Sequence, residues 1–391
     1  MQPKCKRNMS EKEMTILKKT IENSKRVSKG LKFDDAFCTE LPQIVGIKLT
    51  NRCNLRCKTC YEWNEAGYHR NMPRDEQNRE IDFDLVKKVI EETEPVKSNI
   101  YLWGGEPLFY SKFEELSYLL EGRDRITAIC TNGQLIRKKM DSLLRMGENL
   151  ELLIAVDGLE QENDDIRGKG TYQETLTAIK ELLLLRAKGI FKGKISIHCV
   201  ISAEMAGKLY DFLVFFETLG VDVVILCYPW YISEKTSNSM NYYYEKKIGV
   251  LGEAKPSWNA FKYKLPTRFY NKVLVDKKKI MGETWNMQVK FQPELSDSEI
   301  LDFMNDELAL TPFKCFSIAE RLEVLPDGSI STCKHFPEMV VGNIKEDSIY
   351  NIWHSDKYRK IRMVLQNELM PVCTKCNNLY LHGKRRLNEK K

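Results

Sequence analysis

Between residues 43 and 227 short apolar runs alternate with longer amphipathic stretches, and this rhythm restricts the fold more than any other feature. The runs at 43–50, 98–103, 125–131, 150–156, 194–201 and 221–227 predict strands. The stretches at 82–93, 111–121, 134–146, 172–189 and 204–219 predict helices. The strands are nearly continuous in apolar residues, as they are when both faces of a sheet are covered. Strands alternating with helices imply right-handed crossovers and a parallel sheet. The expected fold is α/β: six β/α units, forming an incomplete barrel or an open doubly wound sheet. In either form a site belongs at the carboxyl ends of the strands.

The flanking regions read differently. Residues 1–42 are too short for a separate domain. They predict one helix over 10–28, capped by Ser10 and Glu13, with Met14, Leu17 and Ile21 facing the main domain. Over 228–312 the rhythm stops, and 13 of the 64 residues in 228–291 are aromatic. Such density suits either a lid over the barrel mouth or a small packed subdomain. Residues 313–391 form the last region, with a hairpin turning at Asp327 and Gly328 and a helix over 348–367. No run of about 18 uncharged apolar residues predicts a membrane span. The N-terminus lacks the apolar core of a secretory signal, so a cytoplasmic protein is expected. The net charge of +6 sits at the ends, with 10 basic and 6 acidic residues in 1–42 and 6 basic and 1 acidic in 375–391. Basic tails without a nucleic-acid motif read as solvated termini and do not point to a nucleic-acid partner.

Twelve cysteines in a chain of this kind point to metal or redox chemistry rather than disulfides. Cys53, Cys57 and Cys60 follow the first strand at spacings of four and three residues, followed by Tyr61. Three thiolates from one loop can converge on one iron–sulfur cluster and leave one iron open, whereas a structural zinc needs four protein ligands. After the second strand stands Trp103-Gly104-Gly105-Glu106-Pro107. Its glycines admit close backbone approach, and Glu106 can accept from an ammonium. A second group comprises Cys315, Cys333, Cys373 and Cys376, enough to close a cluster or a zinc ribbon.

The C-x3-C-x2-C loop in a (β/α)6 pattern, joined to the GGEP run, resembles the radical S-adenosylmethionine superfamily. The resemblance implies a partial (β/α)6 TIM-like barrel over 43–227. It makes Cys53, Cys57 and Cys60 ligands of a 4Fe-4S cluster whose open iron chelates S-adenosylmethionine, which is cleaved to a 5′-deoxyadenosyl radical. Tyr61 is expected beside the adenine, with Gly104, Gly105, Glu106 and Pro107 at the methionyl end. Asn132, in a Thr-Asn-Gly turn after the third strand, joins the cofactor-binding set. Arg167 is the candidate for the methionyl carboxylate, and Asp157 is either a cofactor contact or a turn residue. Many relatives carry Ser where this chain has Ala155. The second cysteine group is similar to the SPASM/Twitch extension and implies one fully ligated auxiliary 4Fe-4S cluster. Cys130 and Cys227, near strand ends, are candidate catalytic thiols or small core residues. His198, mid-strand, reads as a core residue, and His69 as a possible substrate contact.

Three functions compete. The first is radical modification of a peptide or protein: oxidation, cross-linking or epimerisation. The second is a small-molecule dehydrogenase or epimerase acting on a sugar or aminocyclitol. The third, a non-catalytic iron–sulfur or zinc protein, is opposed by the intact triplet beside GGEP. The resemblance also implies an electron donor of flavodoxin or ferredoxin type.

Overall fold

In a computed structural model of the chain, residues 2–252, 254–307 and 314–382 are described. The basic residues 383–391 and the expected boundary at 312/313 lie outside them. The six predicted strands are present: β1 (Ile44–Thr50), β2 (Asn99–Gly104), β3 (Thr127–Thr131), β4 (Leu150–Ala155), β5 (Lys194–Val200) and β6 (Val223–Cys227). They pair parallel in chain order. Successive side chains alternate between the helix-covered face and the interior. Ile195, Ile197 and Cys199 are fully buried outward, which leaves Ser196, His198 and Val200 facing inward.

The sheet does not stop at six strands. Gln288–Gln292 forms β7, parallel to β6 with Val224 opposite Val289. The region read as an aromatic linker therefore returns to the barrel. At the other edge Arg321–Val324 (β8) pairs parallel with β1, Leu322 opposite Val45. Ser329–Ser331 (β9) and Val340–Asn343 (β10) continue it antiparallel, giving one sheet of ten strands in the order β10-β9-β8-β1-β2-β3-β4-β5-β6-β7. The C-terminal region is thus an extension of the barrel sheet. Its hairpin turns at Gly328 as predicted, with φ +88°.

Helices cover the outer face. The predicted helix over 134–146 shortens to Met140–Arg145 after a 3-10 turn, and that over 348–367 splits at Ser355 into Ile349–His354 and Asp356–Asn367. Ser355 caps the second piece through its hydroxyl. Helix α1 (Glu11–Gly30) carries the predicted capping box of Ser10 and Glu13. Its predicted inward face is wrong: Met14, Leu17 and Ile21 are exposed, and Asn23 and Val27 are buried instead. Val27 packs with Leu31, Phe316 and Ala319, so only the last turns of α1 contribute core. No described helix is long and apolar enough to cross a membrane.

Candidate active site

The carboxyl ends of the strands enclose a cavity of 420 Å³ that contains most of the sequence-predicted site residues. Two larger clefts, of 930 and 910 Å³, contain none of them. Cys53, Cys57 and Cys60 line the cavity from the loop after β1. Two neighbouring strand ends fix that loop. Gly105 N–H donates to Thr50 O at 2.9 Å, and Glu106 N–H donates to Arg52 O at 2.7 Å. A Cβ on Gly104 would stand 2.3 Å from Thr50 O, and one on Gly105 2.2 Å from Arg52 O. The glycines are therefore needed for the strand to close on the cysteine loop. From β3, Asn132 Nδ2 donates to Asn54 Oδ1 at 2.8 Å.

Burial pushes the Cys53 thiol up to about 12, and raises Cys57 and Cys60 as well. Cys57 raises Cys53 electrostatically, and Cys53 and Cys57 both raise Cys60. Buried, mutually repelling thiolates need a cationic centre, and an iron cluster supplies one. Among the described residues no three His, Cys, Asp or Glu side chains close around a single metal ion.

Glu106 and Pro107 do not line the cavity. The Glu106 carboxylate is fully buried and already accepts from Leu108 N (3.0 Å), Thr131 Oγ1 (2.7 Å) and Asn132 N (2.7 Å). Burial lifts its pKa to about 7 against those donors. From there it holds the β2 and β3 ends together. Asp157 is likewise neither a cavity contact nor a simple turn residue. Its Oδ1 accepts from Val200 N at 2.8 Å, and its Oδ2 forms an ion pair with Arg167 Nε at 2.8 Å. Arg167 does line the cavity, with Nη1 3.8 Å from Cys57 Sγ. Ala155 also faces in.

The aromatic region supplies both a wall and a core. Tyr61 stacks on Phe261 at 4.4 Å and on Trp230 at 6.1 Å, and all three line the cavity with Tyr228. Trp258 is fully buried behind them. Cys130 and Cys227 both face in. Cys227 Sγ lies 2.9 Å from Nε2 of His198. Burial lowers His198 to about 4 and raises the thiol, so a neutral imidazole meets an un-ionised thiol. His198 is thus a cavity residue rather than core. His69 is the reverse: it is walled off beside Lys48 (2.9 Å) and does not reach the cavity. Gln292, Arg321 and Lys334 also line the cavity, and the sequence reading missed all three.

The other four cysteines meet where β8 and β9 leave the sheet. Cys315 precedes β8, Cys333 follows β9, and Cys373 and Cys376 bracket a 3-10 turn in which Cys376 N–H donates to Cys373 O at 3.1 Å. Their thiols are buried and raised, Cys315 to about 12, and Cys315, Cys333 and Cys376 all act electrostatically on Cys373.

Comparison with known proteins accounts for both groups. Residues 47–213 match the radical SAM superfamily model, and residues 315–377 match SPASM, an iron–sulfur cluster-binding domain. The chain belongs to the radical SAM superfamily. It is a radical SAM enzyme whose cofactors are S-adenosylmethionine and iron–sulfur clusters, the latter in place of a zinc ribbon. It is 23% identical over 358 residues to the tungsten-containing aldehyde ferredoxin oxidoreductase cofactor-modifying protein of Pyrococcus furiosus, covering 85% of this chain and 86% of that one. It is 25% identical to the serine-type anaerobic sulfatase-maturating enzyme of Bacteroides thetaiotaomicron, over 84% of this chain and 78% of that one. Its fold is that of Streptococcus suis SuiB bound to S-adenosylmethionine, with a TM-score of 0.59 at 15% identity over 90% of this chain and 74% of that one. This radical SAM enzyme is maturase-like.

Proposed function

We propose that this enzyme modifies a peptide or protein by abstracting a hydrogen atom from it. One observation carries the choice over a small-molecule substrate. The cysteine-lined cavity is not closed: Ile225, Gln292 and Asn377 line both it and the 930 Å³ cleft beside β7. The cavity therefore adjoins a larger cleft, and the two together have the room an extended chain needs. The relatives agree, since solved structures of this fold include SuiB bound to its precursor peptide SuiA, at a TM-score of 0.57.

In this reading Cys53, Cys57 and Cys60 hold the cluster that meets S-adenosylmethionine, and Cys315, Cys333, Cys373 and Cys376 hold the auxiliary one. When bound, cluster and S-adenosylmethionine together supply the radical chemistry. The chain's own residues position and enclose it. Gly104, Gly105 and Asn132 fix the cysteine loop, with Glu106 as a positioning residue behind them. Arg167, anchored by Asp157, sets a positive charge beside Cys57. Tyr61, Trp230 and Phe261 form an apolar wall that keeps water from the reacting centre. Cys227, beside His198, and secondly Cys130 are the thiols that face the cavity. In an epimerisation either would give a hydrogen atom to the substrate radical, and its thiyl radical would be reduced by the electron donor. In an oxidation the substrate radical would instead pass its electron to the auxiliary cluster and lose a proton. The overall reaction is that of an oxidoreductase fed by a flavodoxin- or ferredoxin-type donor, in a cytoplasmic setting.

The test uses the reconstituted enzyme under reducing conditions with a pool of synthetic peptides. Peptide-dependent stimulation of 5′-deoxyadenosine release, with a mass change in the peptide, is the expected result. Stimulation by sugars or aminocyclitols and by no peptide would remove the peptide assignment.

A further inference from the structure

The charges around the cavity do not balance, and the imbalance describes a ligand. Three cationic side chains line it: Arg167, Arg321 and Lys334. Arg167 is paired with Asp157. Arg321 is paired with Glu323. The one acidic lining residue, Glu62, is taken by Lys48 at 2.7 Å. Among the described residues Lys334 has no carboxylate within ion-pair distance. Its ammonium donates to Tyr101 Oη at 3.0 Å and lies 4.1 Å from the centre of that ring and 5.6 Å from that of Trp103. A phenol oxygen and two ring faces hold the ammonium in place but do not neutralise it.

A second observation, independent of charge, falls on the same wall. The indole Nε1 of Trp230 is buried with no hydrogen-bond partner, as are the Tyr228 hydroxyl and His335 Nδ1. All three residues line the cavity, and the Trp230 ring meets the ring of His335, the residue after Lys334, at 4.4 Å. An indole N–H can only donate. A buried donor without an acceptor is destabilising, so such groups are normally matched when the site is filled. An ammonium without a carboxylate and an unmatched N–H in one cavity call for a ligand that brings an anionic acceptor with two oxygens.

We propose that Lys334 and the Trp230 indole N–H form an anchor for a carboxylate carried by the substrate. The inference rests on the peptide-modifying reading and narrows it to peptides that present an acidic side chain or a free C-terminus next to the reacting residue. A carboxylate accepts from both donors at once, and its ion pair with Lys334 replaces the hydration that the ammonium lacks in the cavity.

The experiment measures binding to the reconstituted, S-adenosylmethionine-loaded enzyme. The probes are N-acetylaspartate N-methylamide, its asparagine counterpart, and N-acetylalanine with a free carboxylate. The wild-type enzyme should prefer an acid over the isosteric amide by at least about tenfold, since each tenfold step is a single charge-assisted contact in scale. Whether aspartate or N-acetylalanine shows the preference tells a side chain from a C-terminus. Lys334→Met should abolish the preference, and Lys334→Arg should keep part of it. Equal binding of acid and amide to the wild type overturns the proposal without recourse to any variant. Lys334 follows Cys333, so iron content and the auxiliary cluster's reduction potential are read in parallel. If Lys334→Met shifts that potential and leaves the acid preference intact, the charge serves the cluster and the proposal falls. If it weakens S-adenosylmethionine instead, the cofactor's own carboxylate occupies the anchor and the proposal again falls. Probe binding as expected, with no peptide stimulating 5′-deoxyadenosine release, would keep the anchor and remove only the peptide reading.

Discussion

The two cysteine groups reach similar ends by opposite routes. Cys53, Cys57 and Cys60 come from one loop and need only a strand to launch it and two strand ends to brace it. Cys315, Cys333 and the Cys373–Cys376 turn come from three places, brought together by β8 adding to β1 and carrying the hairpin with it. Three thiols in one loop leave room for an exchangeable ligand, while four from separate elements close the site. Each group also has its own cationic neighbour: Arg167 opposes the effect of burial on Cys57, as Arg321 and Lys334 do on Cys376. The local group is therefore a binding site, and the dispersed group is a staple as well, since metal ligation across elements contributes folding free energy.

The largest effects come from removing either group. We expect the reconstituted protein to carry about eight irons in two 4Fe-4S clusters. Replacing Cys53, Cys57 and Cys60 with Ala should halve the iron and end S-adenosylmethionine cleavage, with little loss of stability. Replacing Cys373 and Cys376 should also halve the iron but lower the unfolding midpoint, while cleavage persists and oxidised product disappears. Product at the wild-type rate in that variant would reduce the dispersed cluster to a staple alone.

Next in size are the cationic neighbours. Arg167→Met leaves the buried Asp157 with the Val200 N–H but no cation, and Arg321→Met leaves Glu323 with the Trp103 indole N–H but no cation. Breaking a buried pair on one side costs about 3–5 kcal/mol, read by denaturant unfolding. Only the first should also weaken S-adenosylmethionine binding. Equal effects of both variants on cofactor affinity would erase the distinction between the groups.

A third effect separates the regions by pH. His198, in the barrel, is held neutral with its pKa lowered to about 4 by burial. The unfolded chain binds that proton first, so its contribution is complete above about pH 6.5 and is lost as the pH falls toward 4. Glu320, at the start of the C-terminal extension, is raised to about 7 by burial. The folded state binds that proton more tightly, so this contribution is present below the ordinary carboxyl range and is lost as the pH rises through 7. Denaturation from pH 4 to 8 should show His198→Gln flattening the acid side and Glu320→Gln the alkaline side. The same slope in both variants would mean that neither group carries the dependence.

The smallest effect tests a region remote from both clusters. Leu17→Lys on the exposed face of α1 should change stability by no more than about 0.5 kcal/mol.

What the sequence made legible follows the same division. The barrel strands, the cysteine loop and the Gly328 turn are written in consecutive residues, so period and spacing reveal them. His198 was misread because mid-strand position was weighed without the face. Period two places it with Ser196 and Val200, opposite the buried Ile195 and Ile197. β7 escaped notice because Val289 and Phe291 sit at the end of an aromatic-rich stretch whose density hid the alternation. The three protein donors to Glu106 were not legible, because two of them, Thr131 and Asn132, belong to another strand end. The dispersed group could be counted in the sequence, but its attachment to β1 could not, because parallel pairing between distant segments leaves no local trace.

That attachment has a consequence for how the molecule is made. During synthesis β1 emerges early, and β2 can pair with one side of it as soon as the first crossover helix has formed. Its other side stays an open edge until the chain has run through the whole of the remaining barrel and β8 appears. A nascent chain therefore exposes unsatisfied backbone along the strand that launches the cysteine loop, with the risk of edge-to-edge association that such strands carry. High sequence separation between β1 and β8 also predicts slow final closure. The seam beside the cysteine loop is therefore sealed only when β8 arrives.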